Sequence, residues 1–279
     1  MTEWGIMATA RDHDLARSIA VEAGKRLVAL RINEATDFDD PDAAKALAKL
    51  ADRQSDDWIL ARIREEFPGD AILSEETEDD PARLDADRVW IIDPVDGTWE
   101  YSHNRHDWAV HVALWERGLG LTAGTVAVTG TSEVWSTAAE ATAPRVVGLP
   151  MDRNARVVVS RTRPLKHEAQ FVSALGEALA PLGIPGVTLV RVGSVGAKVG
   201  EVLAGRVDAY ISESGFFEWD GAAPEVVAAH AGLVVGEVDG TAHTFNNANV
   251  RMPSYIVSRP WMAAELQQVL THRRDSAIS

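Results

Sequence analysis

Two aspartates stand three residues apart at the end of a short apolar run. Residues 89–92 (VWII) indicate a buried strand, and residues 93–98 (DPVDGT) follow it directly. Because like charges repel, carboxylates this close raise a pKa or recruit a cation. The chain has no cysteine and no clustered histidine here, so the available ligands are oxygen atoms, which favour magnesium over zinc. Asp93 and Asp96 are therefore predicted to hold divalent metal.

The residues after the second aspartate add an anion-binding element. Gly97 permits close backbone approach, and the amides of Gly97 and Thr98 would face an anion if a helix begins there. A metal beside an anion cradle is the equipment for phosphoryl transfer. The alternative is an ordinary surface turn, since Asp-Pro and Asp-Gly are common in turns.

Three more acidic positions fall at or near the ends of predicted elements. Glu75 follows a short strand at residues 71–74 and could reach the same metals, although a Glu-Glu pair is usually solvated surface. Asp220, in the sequence WDGAAP over residues 219–224, is most simply a helix N-cap but could also ligate a metal. Asp52 is most simply a salt-bridge partner or the cap of a helix that begins just after it.

The elements that position these residues form two groups. Helical spacing predicts a helix over about residues 12–32 and a second helical pattern that ends before the Pro68-Gly69 turn. An antiparallel meander is predicted after residue 98, with strands at 108–115, 121–128 and 133–136. The pattern loosens at 142–154, which is the predicted boundary between an N-terminal half (1–148) and a C-terminal half (149–279).

The C-terminal half alternates strands and helices, which indicates an α/β arrangement. Its strands are predicted at residues 156–160, 187–192, 208–212, 233–236 and 255–258. Its helices are predicted at residues 166–179, 195–203, 222–231 and 261–271.

Composition narrows the classes of function. The 279 residues carry a net charge of −15, which argues against general nucleic-acid binding because that requires clustered lysine and arginine. A small phosphorylated substrate is compatible with this charge, since metal ions supply positive charge locally. No signal-peptide form is present, and no stretch approaches the ~20 apolar residues of a membrane span. We expect a cytoplasmic protein without nucleic-acid or membrane partners.

The acidic motifs, taken in order, resemble those of a known family. The sequences EE at 75–76, DPVDGT at 93–98 and WDGAAP at 219–224 are similar to motifs of the inositol monophosphatase superfamily of magnesium-dependent, lithium-sensitive phosphatases. The stretches SEE, DWAVHVALW and GSVGAK look closest to actinobacterial CysQ-type proteins, which are 3'-phosphoadenosine 5'-phosphate (PAP) phosphatases. The resemblance spans nearly the whole chain and implies an α/β fold of the sugar-phosphatase type, an αβαβα sandwich.

The resemblance assigns roles residue by residue. The metal ligands that it implies, for two or three Mg²⁺ ions, are Glu75, Asp93, Asp96 and Asp220, with the backbone carbonyl of Val95. Thr98 and Asp52 match the pair that activates the attacking water, and Gly97 and Thr98 match the phosphate-binding amides. The family often carries a threonine shortly before the aspartate at position 52, whereas this chain has KLA at residues 49–51.

Further residues are candidates for reading the substrate, and Asp220 is assigned to this group as well. Ser194 and Lys198 lie in the GSVGAK stretch, which resembles a nucleotide-contacting segment of PAP phosphatases; the alternative is a helix cap and a surface lysine. Arg161 and Arg163 suit a second phosphate that the metals do not neutralise, and the alternative is two exposed loop arginines.

The expected activity is magnesium-dependent removal of the 3'-phosphate from PAP, giving AMP and phosphate, as in PAP recycling during sulfur assimilation. The alternatives at the same site are inositol-1-monophosphatase and fructose-1,6-bisphosphatase activity. A different class, a catalytically silent metal-binding protein, stays open. The resemblance also implies a homodimer, although no apolar stretch identifies an interface.

Overall fold

Helices and sheets alternate in five layers in the computed structural model. It describes residues 8–34, 37–139, 144, 148–150, 152–213 and 215–278, with side chains as far as residue 274. The helices are α1 (Ala10–Asn33), α2 (Pro41–Glu66), α3 (Thr98–Ser102), α4 (Glu168–Leu179), α5 (Val195–Leu203), α6 (Glu218–His230) and α7 (Ala263–Ile278). Short 3-10 helices span Pro81–Asp85, Thr129–Thr131, Ala180–Leu182 and Pro260–Met262.

The strands form two large sheets and one small one. They are β1 (Ala71–Ser74), β2 (Arg88–Asp96), β3 (Ala109–Glu116), β4 (Gly120–Val128), β5 (Glu133–Ser136), β6 (Ala155–Ser160), β7 (Val187–Val192), β8 (Ala209–Ser212), β9 (Phe216–Phe217), β10 (Val234–Gly236), β11 (Arg251–Met252) and β12 (Tyr255–Ser258). The first sheet has the order β1-β2-β3-β4-β5, the second β10-β12-β8-β6-β7, and the third pairs β9 with β11.

The first sheet is a meander with one parallel strand added. Strands β2 to β5 pair antiparallel, as predicted, and β1 runs parallel to β2 at the edge. Both faces of β2 are covered, which explains its continuous apolar run. Because side chains alternate along a strand, Trp90 and Ile92 pack with α1 and α2, while Val89 and Ile91 pack in the core beneath α5 and α6.

The second sheet is mixed. Strand β6 runs parallel to β7 and β8, whereas β12 runs antiparallel to β8 and β10. Helices α4 and α7 cover its outer face, and α5 and α6 lie between the two sheets. The layer order is therefore α, β, α, β, α, which confirms the predicted sandwich.

Small residues let the middle helices approach the first sheet. A Cβ added to Gly124 of β4 would lie 2.4 Å from Val226 Cγ1 and 3.5 Å from Ala223 Cα of α6. Ala222 and Ala223 are buried in the same contact. This close packing brings the start of α6, with Asp220, to the end of β2.

Two helix boundaries differ from the sequence predictions. Helix α2 is continuous from Pro41, with Asp40 as its N-cap, so the prediction that Asp52 caps a helix was wrong. The buried apolar positions Leu47, Ala51 and Ile59 continue through this point, so nothing interrupts the helix. Helix α6 begins at Glu218, which places Asp220 inside the first turn and not at the N-cap.

The small sheet was not predicted. Strands β1, β5, β7 and β12 and helix α5 have the predicted bounds, and the other predicted elements differ by a few residues at their ends. Strand β9 immediately precedes α6 and pairs with β11, so a two-residue ladder covers the start of the helix. The predicted boundary at 142–154 lies partly outside the described residues, and the division into two halves stays a prediction. Within the described part of the chain, the helices include none with the length and apolarity to cross a membrane.

A buried histidine fastens the segment that follows β10. The His243 side chain is 2% exposed, with Nδ1 2.6 Å from Glu225 Oε2 and Nε2 2.9 Å from the Ser254 carbonyl oxygen. Both partners only accept hydrogen bonds when Glu225 is ionised, so both ring nitrogens donate and the imidazole is protonated. Burial alone lowers the pKa of His243, but the hydrogen bond and charge of Glu225 outweigh it, and the pKa is raised.

His243 therefore contributes a pH-dependent part of the stability. Because its pKa is raised on folding, the contribution is complete below the unfolded pKa and is lost as pH rises through the folded pKa. We expect the difference in unfolding free energy between wild type and His243→Phe to be larger at about pH 5.5 than at about pH 9 in urea denaturation. Glu225→Gln should weaken this dependence, and equal differences at both pH values would contradict the assignment.

Candidate active site

Three aspartates from distant parts of the chain meet at one point. One carboxylate oxygen from each of Asp93, Asp96 and Asp220 lies within 4.8 Å of the others. Asp93 and Asp96 are buried at the end of β2, and Asp220 is half-buried in the first turn of α6. The structure thus brings together three of the four predicted side-chain ligands in one tight cluster.

A β-bulge turns both β2 aspartates to the same side. Asp93 pairs with His111 and Asp96 pairs with Ala109, so three steps on β2 match two steps on β3. In a regular strand, positions three apart point to opposite faces. The extra residue at Pro94-Val95 shifts the alternation, and both carboxylates face α5 and α6. The spacing in DPVDGT works only because of this irregularity.

Asp96 is held by donors from the helix that lies above it. Its Oδ1 accepts from the Val195 amide at 3.1 Å, and its Oδ2 accepts from the Gly196 amide at 2.6 Å. His111 Nε2 lies 3.1 Å from Oδ2. Burial by itself raises the pKa of Asp96, but His111, Lys198 and the Gly196 amide outweigh it and the pKa is lowered. The two amides occupy two of the carboxylate's roughly four acceptor positions, so positions remain for a cation.

Asp93 and Asp220 accept fewer hydrogen bonds than Asp96 does. Asp93 accepts a hydrogen bond from the Val95 amide at 3.0 Å, and Asp220 accepts one from the Phe217 amide at 2.7 Å. Burial, followed by the charges of Glu75 and Asp96, raises the pKa of Asp93 well above its ordinary value. Burial and Asp96 raise the pKa of Asp220 to about 6. A positive charge beside Asp93 and Asp220 would therefore stabilise the ionised form of both carboxylates.

Glu75 stands at the edge of this cluster. Its amide donates to the Ile92 carbonyl at 3.3 Å, which continues the pairing of β1 with β2. The residue is exposed and falls outside the 4.8 Å group. Desolvation on its protein side, followed by the charges of Asp220 and Glu76, raises the pKa of Glu75 to about 8. The charges of the cluster therefore reach Glu75, although its carboxylate is not one of the three that meet.

Thr98 and Asp52 meet across 46 residues of sequence. Thr98 Oγ1 lies 3.2 Å from Asp52 Oδ1 and 3.1 Å from the Val95 carbonyl oxygen. Desolvation and the charge of Glu76 raise the pKa of Asp52 to about 7, although the Thr98 contact opposes this. Ser55, one turn along α2, donates to the Pro94 carbonyl at 3.0 Å and fixes α2 against the bulge. The missing threonine before Asp52 does not prevent this pairing.

Gly97 allows the turn between β2 and α3. It has φ +89°, and an added Cβ would lie 2.8 Å from Ser194 Cβ. A side chain here would meet both left-handed backbone strain and the start of α5. The amides of Gly97 and Thr98 thus stand at the first turn of α3, as the sequence predicts.

The candidate substrate-reading residues are placed in different ways. Ser194 caps α5 and accepts from the Ala197 amide at 3.0 Å, so its predicted cap is confirmed. Lys198 is 2% exposed and donates to the Gly193 carbonyl, so the alternative of a surface lysine was wrong. Burial lowers the pKa of Lys198 to about 8, while Asp96 acts in the opposite direction.

The two arginines differ in their availability. Arg161 forms ion pairs with Glu100 of α3, at 3.1 Å, and with Asp107. Asp107 also accepts a hydrogen bond from the Gly193 amide, so these contacts connect α3 to the loop before α5. Arg163 is exposed, and its charge acts to lower the pKa of Asp220. It also lines a cavity of about 970 Å³ whose floor includes Leu165 and Ile211. Of the two, Arg163 has its guanidinium open to solvent.

Sequence reasoning missed two residues that shape this region, Glu100 and Asp107, and the partner of His111. His111 faces Asp96, and Glu100 and Asp107 hold Arg161. The alternation of β3 places His111 on the same side as Ala109 and Ala113, but the sequence does not reveal that Asp96 lies there. Among the aromatic residues near the motifs, Tyr101 and Trp108 are fully buried. Trp99 is 47% exposed and stacks on His103, and Trp219 stacks on Phe217.

Comparison with known proteins decides the family. The profile of the inositol monophosphatase family matches residues 11–274. The chain belongs to this family. It is 38% identical to the 3'-phosphoadenosine 5'-phosphate phosphatase of Mycobacterium leprae, covering 94% of each chain. It is 27% identical to the inositol-1-monophosphatase of Bacillus subtilis, covering 88% of this chain and 90% of the relative.

The fold agrees with this family. The crystal structure of CysQ from Bacteroides thetaiotaomicron, a bacterial member of the inositol monophosphatase family, superposes with a TM-score of 0.72 at 24% identity. The match covers 89% of this chain and 97% of that one. The family consists of metal-dependent phosphomonoesterases, which agrees with a metal-binding role for the acidic cluster.

The cluster fits a hard divalent cation. All its side-chain donors are carboxylate oxygens, which suit magnesium, calcium or manganese better than zinc. Burial and the neighbouring carboxylates raise the pKa of both Asp93 and Asp220, so the ionised forms of this cluster are destabilised. A cation would relieve this repulsion.

Asp93→Asn should separate stability from metal binding. In metal-free protein the substitution removes a carboxyl group whose ionised form is destabilised by burial and by its neighbours, so we expect a melting temperature equal to or above that of wild type. Wild type should gain about 2.7 kcal/mol when Mg²⁺ is present at about 100 times its Kd, and the variant should gain little. Thermal unfolding in chelator and in Mg²⁺ measures both effects.

The exposed Asp57→Asn on α2 is the control, since Asp57 pairs only loosely with Arg53 at the surface. It should respond to Mg²⁺ as wild type does. Equal stabilisation of Asp93→Asn and wild type by Mg²⁺ would contradict the assignment of this cluster.

Proposed function

We propose that this protein removes the 3'-phosphate of PAP, giving AMP and phosphate, in a magnesium-dependent hydrolysis. The observation that carries the proposal is the acidic cluster of Asp93, Asp96 and Asp220 in a chain that aligns end to end with a mycobacterial PAP phosphatase. Each carboxylate is positioned by a different local feature. Asp93 lies at the bulge of β2, Asp96 is bound by two amides at the start of α5, and Asp220 lies in the first turn of α6.

Two or three Mg²⁺ ions would be held by Glu75, Asp93, Asp96, Asp220 and the Val95 carbonyl. When bound, they would neutralise the phosphate oxygens and lower the pKa of a water molecule. The chain itself supplies orientation. Thr98 Oγ1 donates its proton to Asp52 and accepts a hydrogen bond from the attacking water. The water's proton would pass to the hydroxyl as the hydroxyl proton passes to Asp52.

The phosphate is held by backbone groups. The Gly97 and Thr98 amides at the start of α3 bind its oxygens, and the left-handed Gly97 leaves room for close approach. Asp220, in the first turn of α6, would hold a metal that stabilises the leaving oxygen. In-line displacement needs the water and the leaving group on opposite sides of the phosphorus. Thr98 on α3 and Asp220 on α6 are assigned to these two sides.

The rest of the substrate is read by basic residues. Arg163 is exposed and its charge acts on Asp220, so we assign it to the second phosphate. Ser194 and Lys198 shape the wall beside Asp96, with Lys198 acting as a buried charge. Arg161 forms ion pairs with Glu100 and Asp107. We therefore assign it an indirect role in substrate binding, in which it holds the loop before α5 in place. From the family resemblance we further propose that the enzyme is sensitive to lithium, forms a homodimer and is located in the cytoplasm.

The substrate assignment is tested by a panel. Phosphate release from PAP, inositol 1-phosphate and fructose 1,6-bisphosphate should be measured in Mg²⁺ with wild type and Arg163→Ala. We expect PAP to have the highest kcat/KM, and Arg163→Ala to raise KM for PAP by about 10-fold with less effect on inositol 1-phosphate, which has a single phosphate. A preference for inositol 1-phosphate would replace PAP by the second candidate. No turnover of any substrate would favour a silent metal-binding protein.

Thr98→Ala tests the orientation of water. The substitution removes the hydroxyl that links Val95 and Asp52, so we expect kcat for PAP to fall by about 100-fold with little change in KM. Thr98→Ser keeps the hydroxyl and is the matched control, which should retain most of the activity. A Thr98→Ala enzyme with wild-type kcat would exclude this role.

A further inference from the structure

A buried arginine spans from the segment after Glu75 to the segment that covers the start of α6. Arg83 lies in the 3-10 helix Pro81–Asp85 and is 1% exposed, among the most buried large side chains described. It touches none of the residues assigned above. A fully buried guanidinium is costly to desolvate, so its partners reveal what it holds.

Arg83 binds partners in two distant segments. Its Nη1 donates to Asn246 Oδ1 at 2.6 Å, and its Nη2 donates to the Asn247 carbonyl at 2.9 Å. Its Nε and Nη2 donate to the two carboxylate oxygens of Asp79 at 2.6 and 2.9 Å. Asn246 Nδ2 returns a hydrogen bond to the Arg83 carbonyl at 3.2 Å. The planar guanidinium thus bridges positions 163 residues apart.

The same asparagines bind the first residue of α6. Glu218 is 1% exposed and accepts from the Asn246 amide at 2.7 Å, the Asn247 amide at 2.9 Å and Asn247 Nδ2 at 2.8 Å. Asn246 has φ +61°, a conformation that asparagine tolerates better than most residues. The Glu218 carboxylate therefore connects α6 to Arg83 through two backbone amides in a fixed turn.

The network spans the two sides of the metal cluster. Asp79 and Arg83 follow Glu75 by a few residues on the same segment, and Glu218 precedes Asp220 by two residues. Glu75 and Asp220 carry like charges that repel, and the segments that carry them have no covalent reason to stay close. We propose that Arg83, with Asn246 and Glu218, is a positioning network that fixes Glu75 relative to Asp220 and so sets the affinity of the site for divalent metal.

This inference rests on the metal-binding part of the proposed function, and Arg83 acts in it through other residues. Groups that orient metal ligands from outside typically change metal affinity by 10–100-fold when they are removed. The network should therefore affect metal binding more than the chemical step.

Two variants break the network in different ways. Arg83→Met removes the guanidinium but keeps a long apolar stem. Asn246→Gly keeps the left-handed backbone and the amide that binds Glu218, and removes only the side-chain link to Arg83. If Arg83→Met does not fold, as judged by circular dichroism, Asn246→Gly decides the test.

Arg117→Met is the matched control. Arg117 is half-exposed, and its hydrogen bonds go to the Leu84 and Ala86 carbonyls and to Asp87, at the end of the same segment. The control therefore loosens the Arg83 segment without touching the link to α6.

Mg²⁺ binding to metal-free protein should be measured by isothermal titration calorimetry, together with kcat and KM for PAP as functions of Mg²⁺. We expect the Kd for Mg²⁺ to rise about 10-fold in Arg83→Met and Asn246→Gly, and kcat at saturating Mg²⁺ to stay within about twofold of wild type. Arg117→Met should bind Mg²⁺ as wild type does.

Unchanged Mg²⁺ affinity in the folded network variants would overturn the inference, as would an equal loss in Arg117→Met. Wild type that binds Mg²⁺ normally but does not hydrolyse PAP would reject the proposed substrate and leave the network supported or overturned by its own binding data. Wild type that binds no Mg²⁺ would overturn both.

Discussion

Repulsion between buried carboxylates is the constraint on which the rest of the structure depends. Asp93, Asp96 and Asp220 meet within 4.8 Å, and the charges of Asp220 and Asp96 act on Glu75. In a low-dielectric interior such charges interact strongly, so the fold must supply the energy that keeps them together. It does so unevenly, because Asp96 receives two amides and a histidine whereas Asp93 and Asp220 receive one amide each. The uneven supply leaves negative charge for a cation to neutralise.

The five-layer arrangement makes this convergence possible. Helices α5 and α6 pack against the first sheet and also against the second, so their N-terminal ends reach the bulge at the end of β2. The amides at the start of α5 bind Asp96, and the first turn of α6 carries Asp220. Small residues at the contact, such as Gly124 and Ala223, allow the helices to lie close enough for this. The contact of α5 and α6 with the first sheet therefore both stabilises the core and positions the site residues.

Much of the fold follows from local patterns in the sequence. Strands β7 and β12 and helix α5 have the predicted bounds, because apolar periodicity, Gly-containing turns and the Ser194 cap all favour the same boundaries. The errors occur where tertiary contacts override local signals. Helix α2 continues through Asp52 because its buried face is uninterrupted, and α6 starts early because the β9–β11 ladder and Glu218 organise its first turn.

The sequence by itself determined the chemistry of the site: oxygen ligands only, two carboxylates at a strand end, and motifs typical of the inositol monophosphatase family. Those properties depend on residue types and short spacings, which are read along the chain. The tertiary structure alone decided which groups meet, since Glu100, Asp107 and Arg83 act through partners that are 54 or more residues away, and His111 faces Asp96 from the neighbouring strand. It also decided that Lys198 is buried and that Arg161 is engaged, because burial and pairing depend on how layers stack.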